Sequence, residues 1–423
     1  MPFDSRTLYR WMIILFLLAA ALRVGWVSHR FAGDQQWGEM AYPDEEAYVN
    51  VARSLAAGEG LRDEFGYRAT YMPAYPGFLS IFSDLPKPWL WARITQALLG
   101  ALAAPLAFLL AWEWARLSRA GLSFQHFGIK EDGIAMLAGL AVCFDPFLIF
   151  FSGLLLTEVL FTVTLLLAWL FVLPMSRPTI RLRPSQAVAA GICLWGSIMI
   201  RPSAAILVIL VPLAVIICRF FKRDSIMAAF VMVAVVFLGL FPWAFRNRLV
   251  LDEWVWLTTR GGISLYDGLQ QGATGASDLA HTKTMPAVQE LNELQWNRFF
   301  RNRALGMLRN DPWRVAELAW TKFLRTWSLT PNVEQYRTGP VALLSAAWTG
   351  FLLITAAVGW WFRRRAVRSW ILLLLPVVGF TLLHTIFVGS VRYRIPIMPM
   401  MMVLSATGIV DLVGYMSSRQ SRK

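Results

Sequence analysis

The residues able to do chemistry are few and widely spaced. Asp44, Glu45 and Glu46 follow Pro43, Asp145 stands before Pro146, and Glu158 follows Thr157. Arg201 precedes Pro202, and Arg392 and Arg394 flank Tyr393. A carboxylate can take a proton from a hydroxyl, and a guanidinium can grip an anion through two N–H groups at once. Together they suit a pocket that binds an anionic head group and activates a hydroxyl. Each residue also has a plainer reading. Asp44 can cap the helix that Pro43 opens, since Asp is a favoured N-cap. Glu158 can be a structural acid paired with one of the arginines, and the arginines can bind phospholipid head groups. Asp145 reads better as structural, and His126 and His384 as incidental.

The elements that must position these residues are apolar helices. Of the 423 residues 57% are hydrophobic and 16% charged, with mean hydropathy +0.52. Soluble proteins carry about 25% charged residues, so the composition places the chain in the membrane class. Apolar runs of roughly twenty residues, enough to cross a bilayer core, recur throughout. In lipid they must be helical, because every backbone N–H and C=O needs an internal partner. The fold class is therefore an all-α polytopic membrane protein. The spacing predicts about ten spans, near 9–29, 89–114, 133–151, 157–175, 187–200, 203–218, 226–245, 341–361, 369–388 and 396–416. The run after Arg6 and Arg10 reads as an uncleaved first helix rather than a signal peptide. Cys143, Cys193 and Cys218 lie in apolar runs without metal-site spacing, and the four histidines form no ligand pattern.

A net charge of +14 could suggest nucleic acid, but its distribution reads as cytoplasmic loop charge. Arg6 and Arg10; Arg116, Arg119 and Lys130; Arg177, Arg181 and Arg183; Arg219, Lys222 and Arg223; Arg363, Arg364, Arg365 and Arg368; and Arg419, Arg422 and Lys423 fall on one side. The positive-inside rule then puts both termini in the cytoplasm. The acids and arginines singled out above all fall at the opposite face, where intramembrane charge is usually functional or paired. Two long segments fall on that face as well, 30–88 and 246–340. They divide the chain into a transmembrane core (1–245) with a catalytic first outer loop, an outer-face domain (246–340), and C-terminal helices with a tail (341–423). In the first loop an amphipathic helix opens at Pro43 and stops at Gly58. In the second, a helix capped by Asp311 has Trp313, Ala316, Trp320, Phe323 and Trp327 as its apolar face.

The stretch 42–61, YPDEEAYVNVARSLAAGEGL, resembles the first outer loop of GT-C glycosyltransferases, which include the protein O-mannosyltransferases and the aminoarabinose transferase of lipid A. Segments 71–79 (YMPAYPGFL), 152–158 (SGLLLTE), 201–203 (RPS), 261–268 (GGISLYDG) and 392–399 (RYRIPIMP) resemble the family in the family's order. The departures are Asp145, where an apolar residue is expected, and Ala74, where a second proline is common. The resemblance implies GT-C architecture and inverting transfer of a sugar from a polyprenyl-phosphate carrier to a lipid, glycan or protein acceptor. It implies the periplasmic side of a bacterial inner membrane. By match to the first-loop acid it makes Asp44 the general base. It offers Arg392 and Arg394 to the donor phosphate, with Arg201 and Arg68 as helpers. Glu45 and Glu158 then orient sugar or acceptor, or help hold a divalent cation, although no metal is required. Outside the resemblance, a transporter or flippase needs related halves and mid-helix polar groups, and the halves do not match. A non-catalytic envelope assembly protein and another lipid-dependent ligase or polymerase complete the alternatives.

Overall fold

The computed structural model describes residues 5–31, 40, 42–118, 131–177, 181–279, 282, 285–288 and 290–420. Arg119, Lys130, Arg422, Lys423 and His126 lie outside the described residues. Among the described residues every regular element is helical. α1 (Ser5–Phe31) leads to α2 (Pro43–Ala56) and the short α3 (Ala74–Ser80). α4 (Pro88–Ala101) and α5 (Ala103–Ser118) join into one span. α6 (Glu131–Phe144) and α7 (Pro146–Ser152) meet at a 48° bend, where Pro146 cannot continue the ladder. There Asp145 caps α7, accepting from the Leu148 N–H at 2.7 Å. α8 (Glu158–Val172), α9 (Pro184–Ile200), α10 (Leu207–Cys218) and α11 (Arg223–Leu251) follow. α12 (Gly261–Leu269), α13 (Glu293–Asn310) and α14 (Pro312–Thr326) form the second long segment. α15 (Gly339–Arg363), α16 (Val367–Ile386), the single turn α17 (Val391–Arg394) and α18 (Met398–Gln420) complete the chain.

The chain is an all-α polytopic membrane protein. Among the described residues seven helices are long and apolar enough to cross a membrane, and the bent α6–α7 pair makes an eighth. The other two expected spans, Pro184–Ile200 and Pro202–Cys218, are shorter apolar helices. Pro202 ends one and starts the other, which is why neither gains a full bilayer length. α11 continues past the expected span end at 245, through Arg246-Asn247-Arg248 to Leu251.

Close packing holds the bundle. At the α15–α18 crossing a Cβ on Gly408 would strike the Thr355 carbonyl, and one on Gly359 would strike that of Leu404. Small residues at such positions let helix backbones touch where lipid supplies no hydrophobic drive. Two fully buried indoles are satisfied: Trp114 donates to Thr407 at 3.0 Å and Trp169 to the Leu372 carbonyl at 2.8 Å. At the end bearing the basic loops, Arg363 makes a bidentate pair with Asp411, 2.7 Å on each side, and donates to Ser118 at 2.7 Å. That pair clamps α15, α18 and α5.

α2 ends in the expected manner. Gly58 adopts φ +79°, and the Glu59 and Gly58 N–H groups bond the Ser54 and Leu55 carbonyls, a Schellman stop. α14 has the expected Asp311 cap and Pro312 start. Trp313 and Trp320 are exposed, and the face turned into the protein carries Leu318, Lys322 and Thr326. Trp313 and Trp320 therefore face away from the fold, as on an interfacial helix, while Trp327 is half-buried and donates to the Thr381 hydroxyl at 3.2 Å.

Removing one partner of the Arg363–Asp411 pair leaves a buried charge uncompensated. Asp411→Ala is expected to cost about 3–5 kcal/mol, read as a lowered unfolding temperature in detergent. The volume-matched double change Arg363→Met with Asp411→Leu is expected to recover most of that loss.

Candidate active site

The polar end of the bundle is organised around the turn that carries Arg392. Ser390 caps the turn by accepting from the Arg392 N–H at 3.3 Å. Asn332 accepts from the Val391 N–H at 2.6 Å and the Ser390 hydroxyl at 3.3 Å. Arg392 then reaches two acids at once: its Nε donates to Glu158 Oε1 and its Nη1 to Asp44 Oδ2. Arg201, in extended backbone where Pro202 stops α9, donates to the same Glu158 oxygen at 3.0 Å. Glu158 lies in the first turn of α8 and is fully buried, so the helix N-terminus helps to hold its charge.

Asp44 is not the cap of α2. Tyr42 occupies the cap position without a side-chain bond, and Asp44 sits one residue inside the first turn with its carboxylate on Arg392. Its side chain remains 47% exposed, toward a cavity of about 1,380 Å³. Burial pushes the Asp44 carboxyl up, but the Arg392 charge and hydrogen bond, then Arg260 and Arg201, outweigh it and hold the acid below the usual carboxylate range. Around Asp44 the cavity wall is Tyr42, Tyr71, Arg260, Arg392 and Tyr393. One limb is apolar, with Phe147, Phe150 and Phe151 from α7 facing Val341 and Leu344 from α15. Another limb is polar, with Asp63, Ser277, Asp278 and Thr282 beside Trp296. Ligand pockets usually measure about 300–1,000 Å³, so this one has room for more than one substrate.

Of the residues expected from sequence, Asp44, Glu158, Arg201 and Arg392 come together. Three do not. Glu45 follows Asp44 by one residue and so points about 100° away around α2. It is fully buried, accepting from the Leu155 N–H at 2.7 Å and from Arg93 at 3.5 Å. It fastens α2 to the bundle, and it is not on the cavity wall. Arg394 likewise faces away from Arg392. Its Nη1 donates to the Ser328 carbonyl at 2.7 Å and the Thr326 carbonyl at 3.2 Å, its Nη2 to the Thr349 hydroxyl at 3.4 Å, and it is not on the cavity wall. Arg68 is off the cavity wall as well. Its N–H donates to Glu293 at 2.6 Å and its carbonyl accepts from Arg246 at 2.7 Å, tying the first loop to α13 and α11. Among the described residues no group of three or more His, Cys, Asp or Glu is placed to hold a metal ion, and Glu45 and Glu158 are both turned onto arginines.

Sequence reasoning did not single out Arg260, Tyr71 or Tyr42, and it read His384 as incidental. Arg260 stands immediately before the Gly261-Gly262 motif; its guanidinium lies 5.1 Å from the Tyr71 ring centroid and donates to the Tyr71 hydroxyl. Burial raises the Tyr71 and Tyr42 phenols, the latter to about 12, so both stay neutral hydrogen-bonding groups. His384 stacks flat on Tyr393, centroids 4.0 Å apart and planes 4° apart, while Arg201 lies 5.2 Å from the same ring. Nothing in the spacing of His384 marks it, because the partner ring comes from the following turn.

No family model matches the chain, and none of the curated proteins matches it. Among solved structures it is similar to ArnT from Cupriavidus metallidurans bound to undecaprenyl phosphate. That match has 14% identity and a TM-score of 0.40 over 94% of this chain and 77% of the other.

Lys322 supports the Arg392 turn from α14, where its fully buried Nζ donates to the Ile386 carbonyl at 2.8 Å. Burial pushes its pKa down from 10.5 to about 8, against the opposing charge of Asp267. The folded state therefore binds the proton less tightly than the unfolded chain does. The cost of the buried ammonium is full below pH 8 and fades as pH rises toward 10.5. The unfolding temperature of the wild type is expected to rise relative to that of Lys322→Met across this window, and parallel curves would refute the assignment.

Proposed function

We propose that the protein is an inverting glycosyltransferase that moves a sugar from a polyprenyl-phosphate carrier to an acceptor hydroxyl on the non-cytoplasmic face. The observation that carries this reading is the placement of Asp44. It is a charged, half-exposed carboxylate on the wall of a large cavity, held by a guanidinium that also grips Glu158. The resemblance of segment 42–61 to the GT-C first loop supports the same residue from the sequence side, and the basic loops at the other end of the bundle support the outward position.

Transfer needs two things from the protein. A sugar or lipid hydroxyl is a weak nucleophile until a base takes its proton as it attacks. The leaving phosphate gains negative charge as its bond to the anomeric carbon breaks. Asp44 accepts the hydroxyl proton, the acceptor oxygen bonds to the anomeric carbon from the face opposite the phosphate, and the carbon–oxygen bond to phosphate breaks with its electron pair on the phosphate. Arg392, with Arg201 behind Glu158, stabilises that developing charge. An anion bound to Arg392 competes with Asp44 for the same N–H groups. Donor binding therefore loosens Asp44 from its partner and makes it the stronger base it needs to be. The apolar limb suits an isoprenoid chain and the polar limb a glycan.

The test is sugar transfer by the purified protein in lipid, from a panel of polyprenyl-phosphate sugars, with variants alongside. Asp44→Asn, which keeps the side-chain shape, is expected to lower the rate by about 10²–10⁴-fold. Arg392→Gln is expected to lower it by about 10²–10³-fold. Glu45→Gln is expected to lower thermal stability while folded protein keeps most of its rate. Equal rates for wild type and Asp44→Asn would remove the base assignment. Absence of transfer from every donor, with substrate movement across vesicles instead, would favour a transporter.

A further inference from the structure

The turn at Arg392 carries three long side chains in a row, and the middle one serves neither the acids nor the backbone. Successive side chains on a helical turn stand about 100° apart. Arg392 goes to Asp44 and Glu158, and Arg394 to the carbonyls of Thr326 and Ser328. Tyr393 takes a third direction and lines the cavity together with Arg392. Its ring is held twice. The buried imidazole of His384, in the last turn of α16, lies flat on it at 4.0 Å, and the Arg201 guanidinium stands over it at 5.2 Å. Its backbone is fixed as well, since the Tyr393 N–H donates to the Ser390 carbonyl at 3.0 Å. The hydroxyl differs from the ring. Among the described residues it has no hydrogen-bond partner, yet it is not sealed inside the protein, so it opens on the cavity.

A ring clamped on its face and open at its hydroxyl presents that hydroxyl in one place. A phenol donates a hydrogen bond and brings no charge of its own. The surroundings select what it meets. Arg201 lies over the ring and Arg392 adjoins it in the chain, so positive charge gathers where the hydroxyl opens. Arg392 has already given its Nε to Glu158 and its Nη1 to Asp44, and an anion gains those groups only by displacing the acids. The Tyr393 hydroxyl meets no such competition. A phosphate oxygen can dock on it while Asp44 is still seated on Arg392.

We propose that Tyr393 is a substrate-binding residue whose hydroxyl donates to a phosphate oxygen of the bound ligand, and that His384 is the positioning residue that fixes its ring. The phosphate is that of the polyprenyl carrier, so this deepens the glycosyl-transfer reading and rests on it for that identity. The leaving phosphate gains charge as its bond to the anomeric carbon breaks. The hydrogen bond therefore strengthens in the transition state and acts on turnover more than on binding.

Two measurements test the proposal, one of them independent of transfer. In the first, a fluorotyrosine takes the place of Tyr393 alone, and the protein in lipid nanodiscs is followed by fluorine NMR. Geranyl phosphate is expected to shift the resonance, and geraniol, its uncharged counterpart, to leave it in place. In the second, transfer from a polyprenyl-phosphate sugar is measured. Tyr393→Phe keeps the ring and its stack and removes only the hydroxyl. Its kcat is expected to fall about tenfold to hundredfold, the worth of a hydrogen bond to a charged group, with KM changed less than about threefold. His384→Ala is expected to lower kcat as well, and His384→Phe, which restores a flat ring, to recover it to within about threefold. A resonance unmoved by geranyl phosphate, or moved equally by geraniol, overturns the phosphate contact, as does a wild-type kcat in Tyr393→Phe. A His384→Phe variant as slow as folded His384→Ala overturns the positioning role. If the wild type transfers no sugar, the glycosyl-transfer reading fails, and the fluorine response alone decides the contact.

Discussion

One guanidinium shared between two carboxylates organises the polar end of this protein. Arg392 bonds Asp44, 348 positions away in the chain, and Glu158, 234 positions away. Charges among apolar helices are tolerated when they satisfy each other, and taking one away strands the rest. The bridge therefore does two jobs. It draws α2, α8 and the α17 turn to one point, and it keeps Asp44 ionised while the carboxylate still faces open space.

Around that point, neighbouring residues of the same type divide into separate roles by helical geometry. Asp44 faces the cavity while Glu45 turns into the bundle to meet Arg93 and the Leu155 N–H. Arg392 faces the acids while Arg394 binds the carbonyls of Thr326 and Ser328. The inward member of each pair anchors the element that presents the outward one. A side chain is only as well placed as the packing behind it, and here that packing is one or two residues away.

The segment outside the bundle is not an appendage. Lys322 and Arg325 of α14 hold the Ile386 and Gly389 carbonyls, Gly275 accepts from the Gly389 N–H, and Asn332 caps the turn that follows. A Cβ at Gly389 would collide with the Lys322 carbonyl, and one at Gly268 with that of Phe387, so both glycines are required by close approach. The same segment supplies Ser277, Asp278 and Thr282 to the cavity. One stretch of chain thus seats the arginine turn and forms part of the cavity wall.

Much of this was legible in the residues alone. Long apolar runs can satisfy their backbone only as helices, so the all-α membrane class, the stop at Gly58 and the start at Asp311-Pro312 follow from local rules that need no partner. Asp44, Glu158, Arg201 and Arg392 could be singled out because charge at helix ends in an apolar chain is rare enough to notice. What each charge touches was not legible, since a carboxylate beside Pro43 reads the same whether it caps a helix or meets an arginine 348 positions away. The fates of Glu45, Arg68 and Arg394, the outward face of α14, and the shortness of two apolar helices were decided by packing. So were the recruitment of Arg260 and the stacking of His384 on Tyr393. Local spacing sets which face of a helix a side chain occupies, but only the tertiary structure decides what that face meets.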